Sequence, residues 1–134
     1  MKIEDVEGIG EVAGGKLRAV GINTTDDLLM AGASAAGRSK VAAMTELSEG
    51  QLLKWVNHVD LMRIPGVGSE YSDLLEAAGV DSPAELAQRN PVNLAQTFQE
   101  LDAARPNWIR QVPSQATVEK WIAEAKSLAG AVSH

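Results

Sequence analysis

Val6-Glu7-Gly8-Ile9-Gly10 near the start of the chain returns as Ile64-Pro65-Gly66-Val67-Gly68, 58 residues later. This repeated stretch decides the fold. Gly-apolar-Gly between two helical segments predicts a tight turn. Glycine removes the side chain and opens dihedrals that other residues avoid. The first turn of the following helix has N–H groups with no intrahelical acceptor, and such groups suit an anion.

The match extends outward from the glycines. Leu17 pairs with Leu75, Gly21-Ile22 with Gly79-Val80, Thr24 with Ser82, and Leu28 with Leu86. Further on, Lys54-Trp55-Val56 resembles Lys120-Trp121-Ile122 at an offset of 66, so the second copy carries about eight extra residues. The stretch Arg105-Pro106-Asn107-Trp108 through Val112-Pro113 is the expected insertion. The chain is an internal duplication, with a first unit over residues 1–59 and a second over 60–130.

Helix signals repeat with it. Thr24-Thr25-Asp26-Asp27, Ser48-Glu49-Gly50-Gln51 and Ser82-Pro83-Ala84-Glu85 fit capping boxes, and Asn90-Pro91 is a further start. Gly21 and Gly79 are expected to end helices in the left-handed conformation. Leu52, Trp55, Val56 and Val59 share one helical face, as do Val118, Trp121, Ile122, Ala125 and Leu128. No segment alternates apolar and polar residues, so no strand is expected. Each half reads as helix, glycine hairpin, helix, short capped helix, further short helix and long amphipathic helix. No Gly-, Ser- or Pro-rich linker separates the halves. The expectation is an all-α protein whose duplicated units are joined rigidly and share one core.

Composition agrees. A 45% apolar chain with five aromatic residues must build its core from Leu, Val, Ile, Met and Ala, which favours helices. Without cysteine, disulfides and cysteine-based metal centres are excluded. No apolar run is long enough for a membrane span and no signal-like segment opens the chain, so a reducing, cytoplasmic location is expected. The net charge is −6. Residues 1–59 carry 6 basic and 8 acidic groups, and residues 60–134 carry 6 and 10. Neither half is basic, which counts against a strong general nucleic-acid binder.

Val6-Glu7-Gly8-Ile9-Gly10, followed by Leu17-x-x-x-Gly21-Ile22-x-Thr24-x-x-Asp27-Leu28-Leu29, resembles the helix-hairpin-helix motif. Its duplication resembles the DUF4332 family. There, a Lys54-Trp55-Val56 helix closes the first unit and Leu61-Met62-Arg63-Ile64-Pro65-Gly66-Val67-Gly68 opens the second. That family is a tandem helix-hairpin-helix domain without an established function, and the likeness covers roughly residues 2–128. It implies a SAM-like helical bundle. The wider class implies sequence-independent contact with a nucleic-acid backbone through hairpin N–H groups, sometimes with a cation on hairpin carbonyls. Carried over, the contacting residues are Gly8, Ile9, Gly10 and Val12 in one copy, and Gly66, Val67, Gly68 and Glu70 in the other. Such contacts read no sequence.

The flanks depart from that class. Glu11 and Ser69-Glu70 follow the hairpins where DNA binders often carry Lys, Arg or Thr, and a carboxylate repels phosphate. Lys16 and Arg18 lie one to two turns on in the first copy, within reach of a nucleic-acid backbone, and are expected to contact it; the second copy has Asp73 and Glu76 instead. The first hairpin is therefore favoured over the second. A small residue at Gly14, matched by Ser72, is expected to permit close helix packing, whereas Gly15 has no evident reason.

Trp55 and Trp121 are expected in the core rather than stacked on bases. Trp108, between Arg105 and Arg110, is the better candidate for an exposed contact, although a loop anchored by a buried Trp108 is the simpler reading. His58 and His134 lack ligand spacing, so no metal is implied. Helix-hairpin-helix proteins include base-excision glycosylases with a catalytic Asp after the hairpin. Asp81 instead looks like part of the turn before a capped helix, and aromatic residues for a base-flipping pocket are lacking. No acid/base or nucleophile constellation is visible. A binding module without enzymatic activity or cofactor is expected, its partner a nucleic-acid backbone or, alternatively, another protein.

Overall fold

The computed structural model describes residues 1–128 and 131–133; His134 lies outside them. Among the described residues, a short 3-10 turn at Ile3–Asp5 is followed by eight helices. In the first part these are α1 (Gly10–Ala19), α2 (Thr25–Gly32), α3 (Ala35–Thr45) and α4 (Glu49–Leu61). In the second they are α5 (Ser69–Ala77), α6 (Pro83–Ala87), α7 (Pro91–Ala104) and α8 (Gln115–Ser127). Among the described residues there is no strand; Lys2 and Thr24 form an isolated bridge. No described helix is long and apolar enough to cross a membrane. The protein is all-α, as its sequence pattern dictates.

Local chemistry sets the helix ends. The Thr24 hydroxyl accepts from the Asp27 N–H at 3.1 Å while the Asp27 carboxylate accepts from the Thr24 and Asn23 N–H groups at 3.1 and 3.0 Å. These bonds, that from Asn23 foremost, hold the Asp27 carboxyl below its usual range. Ser82, Asn90 and Ser114 cap α6, α7 and α8 through their side-chain oxygens. Helices α1 and α5 end alike. The Gly21 and Ile22 N–H groups donate to Arg18 and Leu17 carbonyls, and those of Gly79 and Val80 to Glu76 and Leu75. That is the Schellman arrangement, with glycine at φ +88 and +89.

The chain divides into two compact units, the first taking in Met1–Asp60 and residues 131–133, the second residues 61–128. In the first, Ile3, Val6, Ile9, Leu17, Leu28 and Trp55 belong to one buried cluster. The end of α2 lies so close to α4 that a side chain at Gly32 would meet Val56 Cγ2 at 2.5 Å. Buried Arg38 donates to the Gly32 carbonyl at 2.8 Å and to the Ser133 carbonyl at 2.7 Å. The Ser133 N–H donates to the Ala33 carbonyl at 2.8 Å, and Val132 packs against the cluster. No sequence motif marks this return of the C-terminal segment.

In the second unit α6 and α7 pack on α8. Leu61, Ile64, Leu75, Leu86, Phe98 and Trp121 belong to its buried cluster. Each leucine-sized side chain so buried contributes about 1.5–3 kcal/mol. The Trp121 ring lies 5.2 Å from Tyr71 and 6.5 Å from Phe98, centroid to centroid. Both helix-face tryptophans are thus core residues, Trp55 at 3% exposure and Trp121 at 2%.

Candidate nucleic-acid interface

The two glycine stretches fold into the same turn. The Ile9 N–H donates to the Val6 carbonyl at 3.2 Å, and the Val67 N–H to the Ile64 carbonyl at 3.0 Å. The third residue of each turn is glycine, Gly8 at φ +90 and Gly66 at φ +89. With Pro65 in second place, the second turn carries the type II signature in full. The apolar residue of each stretch anchors it: Ile9 and Val67 are both 4% exposed. Gly8, Gly10, Gly66 and Gly68 all lie at the surface. Burying the middle residue presents a strip of backbone bare of side chains.

A helix starts directly after each turn. Neither N-cap, Ile9 for α1 or Gly68 for α5, supplies a side-chain cap. First-turn N–H groups without intrahelical acceptors are a local concentration of positive partial charge. The turns then diverge. Gly10 takes φ +64, a left-handed conformation, whereas Gly68 takes φ −98, which any residue adopts.

Side chains around the turns differ more. In the first unit, Lys16 and Val12 are exposed on α1. Arg18 is tied by two hydrogen bonds of 2.6 Å to Glu4 in the 3-10 turn. The guanidinium holds the Glu4 carboxyl down at about 2, and the carboxylate raises the Arg18 pKa in return. Gly14 makes this possible, since a Cβ there would come within 2.9 Å of Glu4 Oε2. The small residue does permit close packing, although against Glu4. Gly15 faces open space and has no steric reason to be glycine. Glu11, second residue of α1, is exposed.

In the second unit the insertion folds onto α5. The Arg110 N–H donates to Glu70 Oε1 at 2.8 Å, and the Tyr71 hydroxyl to the Gln111 carbonyl at 2.7 Å. Burial, then the neighbouring Glu70 charge, pushes the Tyr71 hydroxyl pKa up. Glu70, the acid beside this turn, is therefore engaged by a backbone N–H. Arg105 and Arg110 are exposed on the segment it holds. The Arg105 guanidinium carbon lies 4.7 Å from the centroid of the half-buried Trp108 ring. Sequence reading singled out this basic segment without connecting it to the turn. The only signal was the length difference between the copies, which gives no docking position.

A family model described as a domain of unknown function (DUF4332) matches residues 7–128. No curated protein and no solved structure matches the chain.

Proposed function

We propose that this chain, which belongs to the DUF4332 family, is a non-enzymatic tandem helix-hairpin-helix module. In this reading its glycine turns contact nucleic-acid backbone phosphates without reading sequence. The observation that carries the reading is the turn itself, built twice with an exposed glycine at φ near +90 and an uncapped helix directly behind it. Bare N–H groups at a helix start can donate to phosphate oxygens whatever the base sequence.

What supports a larger share for the second turn is its surroundings. Glu70 is occupied by the Arg110 N–H, and two exposed arginines sit on the adjoining segment. At the first turn Arg18 is committed to Glu4, leaving Lys16 as the nearby exposed cation and Glu11 opposing it. The second reading, a protein-interaction module, draws on the net charge of −6 and on exposed Val12 (77%) and Met30 (83%).

Fluorescence anisotropy with a labelled duplex of arbitrary sequence tests the proposal. Backbone contact predicts binding at low salt whose affinity falls as salt rises, with similar values for unrelated sequences. Gly68→Leu should weaken it without lowering the melting temperature, because the backbone there suits any residue and a Cβ meets nothing. No binding at low salt and high-micromolar protein would sink this reading in favour of the protein partner.

A further inference from the structure

In both units a tryptophan indole is set against the turn glycine. A Cβ on Gly8 would stand 3.4 Å from Trp55 Nε1, and one on Gly66 would stand 3.3 Å from Trp121 Nε1. The edge of the ring that carries the N–H therefore faces the exposed turn. Both rings are otherwise buried, at 3% and 2% exposure. A buried tryptophan usually finds an acceptor for its N–H. Among the described residues neither Nε1 is hydrogen-bonded, and neither counts among the side-chain atoms sealed from solvent without a partner. Each unit thus spends a nearly buried side chain on a donor that ends at the surface of the glycine turn.

We propose that Trp121 Nε1–H, and Trp55 Nε1–H in the first unit, complete the donor set of each turn by hydrogen-bonding an oxygen of a bound phosphodiester. This rests on the backbone-contact reading above and names a side chain for it. Three features argue for the role. The donor is neutral, so it adds to the helix N–H groups without the desolvation cost of a buried cation. It is fixed in place, since the Trp121 ring is buried and packs against Tyr71 and Phe98, and little side-chain entropy remains to be lost on binding. Access requires glycine, because any side chain at position 66 or 8 would stand against the indole edge. The glycine in this place then serves the turn conformation and the donor together.

The experiment is a titration of 15N-labelled protein followed by the indole N–H resonances of Trp55, Trp108 and Trp121, assigned through single Trp→Phe variants. Duplex DNA of arbitrary sequence is one ligand and inorganic phosphate the other. We expect the Trp121 indole proton to move downfield with saturation. Trp121→Phe, which keeps an aromatic ring in the core, should weaken duplex binding about tenfold, as for loss of one hydrogen bond to a charged group. If the duplex binds while the Trp121 and Trp55 indole protons stay still, the proposal is overturned and backbone contact stands. If phosphate moves the indole proton but no duplex binds, the donor stands and the nucleic-acid reading falls. If no duplex binds and phosphate leaves the indole protons still, both fall. Should Trp121→Phe fail to fold, the wild-type resonances decide alone, with Trp55→Phe as the second variant.

Discussion

Replacing Gly66 with alanine tests the turn on which the functional reading depends. At φ +89 an L-residue is strained by about 1–2 kcal/mol. The new methyl group would also stand 3.3 Å from Trp121 Nε1. That ring is packed against Tyr71 and Phe98, so any shift forces it off its preferred torsion, at about 0.5–1.5 kcal/mol. Alanine also restricts the unfolded chain, which offsets roughly 0.4–1 kcal/mol. The net expectation is a loss of about 2 kcal/mol. Gly68→Ala is the internal control, two residues away in the same motif. Its φ of −98 suits alanine, its Cβ meets nothing, and the unfolded-state gain roughly balances the poorer N-cap. That variant should stay within about 0.5 kcal/mol of the parent. Urea unfolding followed by far-UV circular dichroism separates the two. With m near 2 kcal/mol/M, Gly66→Ala should lower the midpoint by about 1 M. Equal midpoints for the two variants would refute the reasoning, because it assigns the cost to a conformation that only Gly66 adopts.

Two further outcomes follow from the first unit. Gly15→Ala fills open space on α1 with a better helix former, so it should stabilise the protein by about 1 kcal/mol and raise the thermal midpoint; an unchanged or lower midpoint would contradict the placement of Gly15 inside α1. The Glu4 carboxyl is held at about 2 in the folded chain against an ordinary 4.5, so its stabilising contribution is present above about 4.5 and lost as pH falls through about 2. Urea midpoints across that window should fall less steeply for Glu4→Gln than for the parent, and parallel profiles would remove the ion pair from the account.

Much of the fold is written locally and is legible for that reason. Gly21 and Gly79 end helices because the left-handed C′ position favours glycine. Thr24, Ser82, Asn90 and Ser114 start them because their side chains reach backbone N–H groups two or three residues on. Trp55 and Trp121 belong to buried helix faces through simple periodicity. The candidate interface was less legible, because what sets it is remote in sequence. Arg18 pairs with Glu4 across 14 residues, and Glu70 takes the Arg110 N–H across 40. Arg38 reaches the Ser133 carbonyl across 95. No spacing rule predicts such partners. Nor does the shared motif reveal that Gly10 is left-handed while Gly68 is extended.

These remote contacts bear directly on the net charge of −6, which at first weighs against phosphate as a ligand. Charges separated by more than about 8 Å are largely screened at physiological ionic strength, so the total matters less than the groups beside each turn. There the two copies differ in kind. Each has a glutamate as second residue of the helix, Glu11 or Glu70, in the first turn whose N–H groups an anion would use. Such a glutamate is favoured by the helix dipole and competes with any incoming phosphate. Glu70 is drawn into a hydrogen bond with the Arg110 N–H, on a segment that also carries two exposed guanidinium groups. Glu11 has no such segment, because the first copy lacks the insertion. The extra eight residues thus change the electrostatics around one turn, on top of the backbone difference at Gly10 and Gly68, so a duplicated scaffold carries two glycine turns with different charge surroundings.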